Sequence, residues 1–366
     1  MSTSRTTLFG PRAEVELMSG YHSPQVKVEV RLNTNESAEA PPAGFTAELA
    51  TAVASTGLNR YPDRDAHELR GAIGALHGVG AEQVWCGNGS NEVLQSLLMA
   101  YGGHGRAAAV VEPTYALHSH IARLTGTTVL TGEREADFSV GWRELDRLAA
   151  LGPAVMFLCS PNNPTGGSDP ADTVDHLLDV APGLVIVDEA YAQFAPWSAI
   201  ELLDGCPSLA VVRTFSKTWA LAGLRLGYFV ASEEIVEAAE KVTLPYHLDA
   251  LKQLAGVTAL KYEPEMKARV ARIVESRAYI EDGLTRLDVD YWPSEANFVM
   301  FRPRDREGRA VWQGLLDRSV LVRNLSSWPS LARCLRVTIG SQPECERFLK
   351  ALAEVLEQVP PNGEDV

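Results

Sequence analysis

Lys217 lies in a short segment whose residue types could form a Schiff base beside a bound phosphate. The apolar, β-branched run 209–212 predicts a buried strand that leads to two hydroxyl residues, Thr214 and Ser216. An amine attacks an aldehyde only after it loses its proton, and a nearby cation such as Arg225 lowers its pKa. A guanidinium also offers a planar pair of donors to a phosphate. Taken alone, a Ser-Lys dipeptide is more often an ordinary surface lysine beside a helix, so the other elements must decide.

Two further predicted strands end in residues that could hold an aromatic cofactor. Run 184–187 ends at Asp188, with Tyr191 three residues later. A buried carboxylate is costly unless a cation or donor meets it, and a protonated pyridine nitrogen would be such a partner. A helix N-cap and a magnesium ligand are the alternative roles for this aspartate. Run 154–159 leads into a loop rich in proline and asparagine, where Asn163 precedes a proline and could donate to a phenolate oxygen; on its own this loop would be a common turn.

A glycine-rich turn, Gly87-Asn88-Gly89, opens a segment with apolar residues at helical spacing. The free N–H groups and the helix dipole at such a start favour a bound phosphate. A dinucleotide fingerprint would need a third glycine, but Glu92 stands in its place, which argues against a dehydrogenase. With Ser216 and Arg225 as further ligands, the turn indicates a phosphate site.

These motifs, in this order along the chain, resemble the pyridoxal-phosphate-dependent aminotransferases of fold type I, and within them the histidinol-phosphate aminotransferase family most. The resemblance extends from Arg31-Leu-Asn-Thr-Asn-Glu36 to Cys334-Leu-Arg-Val-Thr-Ile-Gly340. It implies an α/β fold, with a large domain of mostly parallel sheet flanked by helices and a smaller α/β C-terminal domain. It also implies that pyridoxal 5'-phosphate is the cofactor, that Lys217 forms the Schiff base with it, and that the same lysine later moves the substrate's α-proton.

The resemblance implies a role for each residue around the cofactor. Asp188 would pair with the pyridine nitrogen, Tyr191 and Asn163 would contact the phenolate, and Tyr115 would stack on the ring unless it is an ordinary core tyrosine. A second set belongs to the phosphate end of the cofactor site: Ser90, Asn91, Glu92, Thr214, Ser216 and Arg225. Tyr61 would reach the phosphate of a neighbouring subunit's cofactor, which requires a homodimer with a shared active site.

The substrate side of the site follows from the same resemblance. Arg336 would grip the α-carboxylate of the amino acid, a planar group that a two-pronged guanidinium can fix. Four positions match the second anion site of the family, where Arg323 would bind the phosphate of histidinol phosphate unless it is a surface arginine: Tyr21, Asn35, Asn297 and Arg323. Two departures from the family pattern are Asn91, where aspartate is commoner, and segment 21–25, which lacks a glycine after its proline.

The predicted reaction is therefore transamination between histidinol phosphate or imidazole acetol phosphate and glutamate or 2-oxoglutarate, in histidine biosynthesis. Two alternatives keep the same cofactor site. An aromatic amino acid aminotransferase that acts on phenylalanine would differ only in its substrate kinetics. A related decarboxylase would release carbon dioxide.

Composition agrees with a cytoplasmic enzyme. The chain has 366 residues, and 33 Lys and Arg against 47 Asp and Glu give a net charge of −14, which argues against nucleic acid or an anionic membrane as a partner. Five cysteines without metal spacing suit a reducing compartment. The sequence shows neither a basic-then-apolar leader nor a long apolar span. His118 and His120 are predicted to lie on a helix surface or at the edge of the core rather than to bind a ligand.

The alternation of apolar runs and helical stretches predicts three parts of the chain. Residues 1–43 form an N-terminal arm, expected to be irregular and to pack on the small domain. Residues 44–251 form the large cofactor-binding domain, because strands alternating with helices call for a mostly parallel sheet. Residues 252–366 form the small domain, and a long helical segment over about 251–287 leads into its strands.

Overall fold

The computed structural model describes residue 10, residues 13–16, 18 and 20, and residues 25–361. The strands are β1 Val30–Leu32, β2 Val84–Gly87, β3 Ala107–Glu112, β4 Thr128–Glu133, β5 Val155–Cys159, β6 Leu184–Asp188, β7 Leu209–Thr214, β8 Gly227–Ala231, β9 Val289–Trp292, β10 Phe298–Pro303, β11 Val320–Asn324 and β12 Leu335–Thr338. The α-helices are α1 Ala13–Glu16, α2 Ala43–Ala54, α3 His67–His77, α4 Ser90–Tyr101, α5 Leu117–Leu124, α6 Trp142–Ala149, α7 Ala171–Val180, α8 Glu233–Val242, α9 Ala250–Leu260, α10 Glu263–Thr285, α11 Gly308–Asp317 and α12 Gln342–Gln358. Short 3-10 helices cover Ala81–Gln83, Ala192–Phe194, Ala199–Leu202, Ala222–Leu224 and Pro329–Leu331.

The larger sheet contains seven strands among the described residues, in the order β2-β8-β7-β6-β5-β3-β4. Strands β4, β3, β5, β6 and β7 run parallel, whereas β8 is antiparallel to both of its neighbours. The predicted mostly parallel sheet is therefore confirmed. Parallel strands end at the same edge of a sheet, so the loops after β3, β5, β6 and β7 meet there.

Helices cover both faces of this sheet, and strand β6 shows why. Successive side chains of a strand point to opposite faces. Leu184 and Ile186 pack in the cluster that includes Leu94 of α4, while Val185 and Val187 pack in the cluster on the other face. A strand that is buried on both sides in this way can be continuously apolar, as β6 is up to its terminal aspartate.

The smaller sheet has the order β1-β11-β12-β10-β9, with β1 parallel to β11 and the other pairs antiparallel. The arm was expected to be irregular, and for Val30–Leu32 this expectation is wrong. Val30 and Leu32 are buried while Arg31 between them is exposed, and the segment pairs with β11. This pairing brings the residues that follow, Asn33 to Glu36, to the cleft between the two sheets.

The helical segment predicted over 251–287 divides into α9 and α10. Pro264 lies in the first turn of α10. A proline there is tolerated, but inside a continuous helix it would lose a hydrogen bond and clash with the preceding turn. Helix α9 packs on α2 and α3, and α10 packs on β9, β10 and α12. The domain boundary at residue 251 remains a prediction.

In the part of the chain that the structure describes, none of the helices is both long enough and apolar enough to cross a membrane.

Ile186 offers a test of the layered core, since it is completely buried in the central strand β6. We expect Ile186→Ala to lower the free energy of unfolding by about 2–5 kcal/mol, because the lost methyl groups leave a cavity between sheet and helices. Urea unfolding followed by circular dichroism measures this. Leu151→Ala is the control, since Leu151 is 55% exposed. Equal losses in the two variants would contradict the described packing.

Candidate active site

A cavity of about 270 Å³ lies between the carboxyl edge of the larger sheet and the smaller sheet. Most of the residues predicted for the site line this cavity: Asn35, Ser90, Asn91, Tyr115, Asn163, Asp188, Tyr191, Thr214, Ser216, Lys217, Arg225, Arg323 and Arg336. Three others, Tyr61, Glu92 and Asn297, are not among its lining residues. Tyr21 lies outside the described residues.

Lys217 follows strand β7 and projects into the cavity. Its Nζ donates to the backbone oxygen of Thr34 at 3.1 Å and lies 5.8 Å from the centre of the Tyr191 ring. The pKa of Lys217 is lowered to about 7, mainly by burial; the charges of Arg336 and Arg225 contribute in the same direction, while Glu36 acts in the opposite direction. A large fraction of this amine is therefore neutral near pH 7, which is the nucleophilic form.

Asp188, at the end of β6, is held by a histidine that the sequence analysis did not assign to the site. Nε2 of His118 lies 2.9 Å from Oδ2 of Asp188, and the backbone N–H of Ala190 donates to Oδ1 at 3.2 Å. The His118 ring stacks on Phe157, with ring centres 4.8 Å apart. The expectation of a surface or core-edge position is wrong, because His118 is 0% exposed.

A sequence signal for this position did exist. His118, Ile121 and Ala122 follow helical spacing of three and four residues, and all three are buried on one face of α5. Such spacing indicates that the histidine lies on the core face of the helix. It does not identify Asp188 as the partner, because Asp188 lies 70 residues further along the chain.

At the other end of the cavity, hydroxyl groups and a guanidinium surround the start of α4. The Thr214 hydroxyl donates to Oγ of Ser216 at 3.0 Å, and Nη1 of Arg225 donates to the same Oγ at 3.3 Å. Ser90 and Asn91 are the first two residues of α4 and line the same region. The arrangement is rich in donors and suits a phosphate.

Two glycines allow the backbone to approach this closely. Gly89 has a φ of +82°, and a Cβ there would lie 2.5 Å from Nη2 of Arg225. A Cβ on Gly227 would lie 2.4 Å from the backbone nitrogen of Ser90. A side chain at either position would fill the space in which the donors converge.

Glu92 was predicted with the cofactor-binding turn, but its side chain faces back toward the turn and not into the cavity. Its Oε2 accepts hydrogen bonds from the backbone N–H of Asn88 and, at 2.7 Å, from Asn88 Nδ2. A carboxylate in the first turn of a helix caps the free N–H groups there. Glu92 therefore orders the glycine turn.

Asn35 links the two sheets. Its Nδ2 donates to the Tyr191 hydroxyl at 2.9 Å, and its Oδ1 accepts from the hydroxyl of Thr338 at 3.0 Å. Asn297 lies behind it and donates from Nδ2 to the Asn35 backbone oxygen at 3.1 Å. The pKa of Tyr191 is raised above its usual value, mainly by burial. The Tyr191 hydroxyl therefore keeps its proton at neutral pH.

Arg323 on β11 and Arg336 on β12 are directly opposite each other in an antiparallel pair. Side chains opposite each other project from the same face, and two like charges in such a pair repel. Nη1 of Arg336 donates to Oδ1 of Asn163, and its Nη2 donates to the backbone oxygen of Asn33 at 3.1 Å. Two guanidiniums on one face of the sheet can together bind an anionic ligand.

The cavity differs in charge from the molecule as a whole. Lys217, Arg225, Arg323 and Arg336 line it, against the carboxylates of Glu36 and Asp188. The whole chain has a net charge of −14. A local excess of cations on an acidic protein favours an anionic ligand at this place.

The comparisons with known proteins agree with this geometry. The sequence pattern of the family "Aminotransferase class I and II" matches residues 27–352. The chain belongs to this family. It is 44% identical to the histidinol-phosphate aminotransferase of Corynebacterium diphtheriae, over 95% of this chain and 96% of the relative. It is 43% identical to that of Thermobifida fusca, over 93% and 94% of the two chains. Within the class I and II aminotransferases, it is therefore a member of the histidinol-phosphate aminotransferase group.

A solved structure shows the same fold. The histidinol-phosphate aminotransferase from Sinorhizobium meliloti in complex with pyridoxal-5'-phosphate superposes with a TM-score of 0.88 at 22% identity, covering 97% of this chain and 100% of that chain. The predicted fold, a large and a smaller α/β domain, is confirmed.

In this aminotransferase, the low pKa of Lys217 can be measured in the ligand-free protein. We expect the rate at which acetic anhydride labels Lys217 to rise with pH and to be half-maximal near pH 7. In Arg336→Met the midpoint should move to higher pH, because a neighbouring cation has been removed. Mass spectrometry of the labelled peptide gives the rate, and Arg304→Met, at an exposed site, is the control. A midpoint near 10, as in an ordinary lysine, would show that burial does not act as described.

Proposed function

We propose that this enzyme uses pyridoxal 5'-phosphate to transfer an amino group between histidinol phosphate and its keto partner, imidazole acetol phosphate, and the glutamate/2-oxoglutarate pair. The observation that carries the proposal is the opposed pair Arg323 and Arg336 in the same cavity as Lys217. An amine of lowered pKa beside two anion-binding guanidiniums suits phosphorylated and carboxylated amines. The relatives named above support this choice of substrate.

The residues present fit the cofactor. Its phosphate would lie at the start of α4, where Gly89 and Gly227 leave room and Ser90, Ser216 and Arg225 supply donors. Its pyridine nitrogen would meet the buried carboxylate of Asp188, which a cation or donor stabilises in addition to His118 and the Ala190 N–H.

The remaining ring contacts would come from three side chains on the cavity wall. Tyr115 would pack on the ring face, and Asn163 and Tyr191 would donate to the ring oxygen. Tyr191 is able to donate because its hydroxyl keeps its proton. The bond from Asn35 to the same hydroxyl would fix its direction.

When bound, pyridoxal phosphate withdraws electrons from the substrate's α-carbon and so makes its C–H bond acidic. Lys217 is the base that takes this proton at Nζ and returns it, which a group with a pKa near 7 can do in both directions. The negative charge of Asp188 would favour the protonated form of the ring nitrogen. His118 and the N–H of Ala190 hold that carboxylate in place.

Each of the two arginines would bind the anionic group of a different substrate. Arg336 would bind the α-carboxylate of glutamate, with its orientation set by Asn163 and the Asn33 carbonyl. Histidinol phosphate has no α-carboxylate, so its phosphate must supply the anchoring charge. Arg323, on the neighbouring strand, would bind that phosphate.

Replacement of Arg323 tests the proposed substrate. A hydrogen bond to a charged group contributes roughly 1.5–3 kcal/mol. We therefore expect Arg323→Ala to lower kcat/KM for histidinol phosphate by about one to two orders of magnitude, since about 1.4 kcal/mol corresponds to tenfold. The loss for phenylalanine should be much smaller, because phenylalanine has no phosphate. Steady-state kinetics with both substrates measure the difference.

Arg304→Ala is the matched control, since Arg304 is exposed and pairs with Asp290 and Asp288 away from the cavity. Equal losses of kcat/KM for both substrates in Arg323→Ala would indicate that Arg323 binds the carboxylate or stabilises the fold. A wild-type preference for phenylalanine would favour the aromatic aminotransferase. Release of carbon dioxide would favour the decarboxylase.

The active site is proposed to be shared between two subunits. Tyr61 is 79% exposed and stacks on Tyr246, with ring centres 4.4 Å apart. Leu58 and Leu244 are also exposed, which suits a surface that a second copy covers. From there Tyr61 would reach the partner's cofactor phosphate.

A cytoplasmic location is part of the same proposal, because all five cysteines are free thiols.

Mixing two inactive variants tests the shared site. We expect Lys217→Ala and Tyr61→Ala homodimers to have little activity, and hybrids made by mixing them to recover some, because one of the two sites then has both residues. Activity after subunit exchange, with sedimentation as a check of the dimer, measures this. A fully active monomer would contradict the proposal.

A further inference from the structure

The glycine turn of the phosphate site is held from behind by His247. The His247 ring stacks on Trp85 of β2, with ring centres 5.1 Å apart and planes 7° from parallel. Its Nε2–H donates to the backbone oxygen of Cys86 at 2.8 Å. Its own backbone oxygen accepts from Nδ2 of Asn88 at 3.0 Å. His247 therefore binds the chain on both sides of Gly87.

The position of this turn decides where the phosphate donors lie. Asn88 also donates to Glu92, so the side chain of one residue joins His247 to the first turn of α4. Gly89 packs against the Arg225 guanidinium, and Gly227 packs against the Ser90 nitrogen. A small shift of the turn would therefore displace both Ser90 and the guanidinium of Arg225.

We propose that His247 is a positioning residue for the phosphate site. It strengthens the binding of the cofactor's phosphate and does not affect the binding of the cofactor's ring. His247 is not among the residues that line the active-site cavity, so it acts through the turn. The inference rests on the proposed function, since it assumes that the cofactor's phosphate binds at α4.

The test compares the cofactor with its phosphate-free form. Resolved full-length enzyme is titrated with pyridoxal phosphate and with pyridoxal, and binding is followed by absorbance. We expect His247→Ala to raise the dissociation constant of pyridoxal phosphate about five- to tenfold, as the loss of one hydrogen bond would. The dissociation constant of pyridoxal should stay the same. Inorganic phosphate should compete less well with pyridoxal phosphate in the variant than in the wild type.

Two further variants separate positioning from folding. His247→Gln keeps an N–H donor at the same distance along the side chain and should recover part of the affinity for pyridoxal phosphate. His176→Ala removes a histidine in a similar setting away from the site, because His176 stacks on Trp142 at 4.5 Å and bonds Asp146 at 2.8 Å. This control should bind both compounds as the wild type does.

Three results would overturn the inference: an unchanged dissociation constant of pyridoxal phosphate in His247→Ala, an equal loss for both compounds, or the same loss in His176→Ala. A failure of the proposed function looks different. In that case the wild-type enzyme itself would not bind pyridoxal phosphate more tightly than pyridoxal.

Discussion

The burial of the Lys217 amine is the constraint on which the rest of the site depends. An ammonium group that leaves water is destabilised, and the nearby charges of Arg336 and Arg225 add to the effect, so the pKa falls to about 7. The burial requires both sheets, because the Lys217 amine bonds the Thr34 carbonyl, which follows strand β1 of the smaller sheet. The chemistry of one side chain is thus a property of how the two sheets meet.

The same cleft concentrates positive charge on an acidic protein. Like charges at Arg323 and Arg336 face each other across two strands, and Arg225 lies at the opposite end near Ser216. Each of these guanidiniums lines the cavity and can bind an anion there. A cofactor phosphate would bind at one end of the cavity and a substrate anion at the other. A bound cofactor or substrate should therefore raise the free energy of unfolding.

The residues predicted at the strand ends line one cavity, for a physical reason. Parallel strands place their carboxyl ends together, so Asn163, Asp188 and Lys217 had to be neighbours once the sheet was recognised. Contacts that depend on side-chain direction were not predictable in this way. Glu92 faces its own turn, and His118 reaches Asp188 from another element.

The arm strand Val30–Leu32 was missed for a related reason. Three residues carry too little alternation to indicate a strand, and the pairing that stabilises this one comes from residues 320–322, far away in the sequence. The contact of Asn297 with Asn35 could not be predicted for the same reason, since the two residues are 262 positions apart in the sequence. Such contacts follow from the tertiary structure alone.

The most direct test of the account is to find which lysine holds the cofactor. The enzyme purified with pyridoxal phosphate is reduced with borohydride and digested, and the peptides are identified by mass spectrometry. We expect the pyridoxyl group on Lys217, with none on Lys252, which pairs with Asp249 outside the cavity. A pyridoxyl group on any other lysine, with Lys217 unmodified, would contradict it.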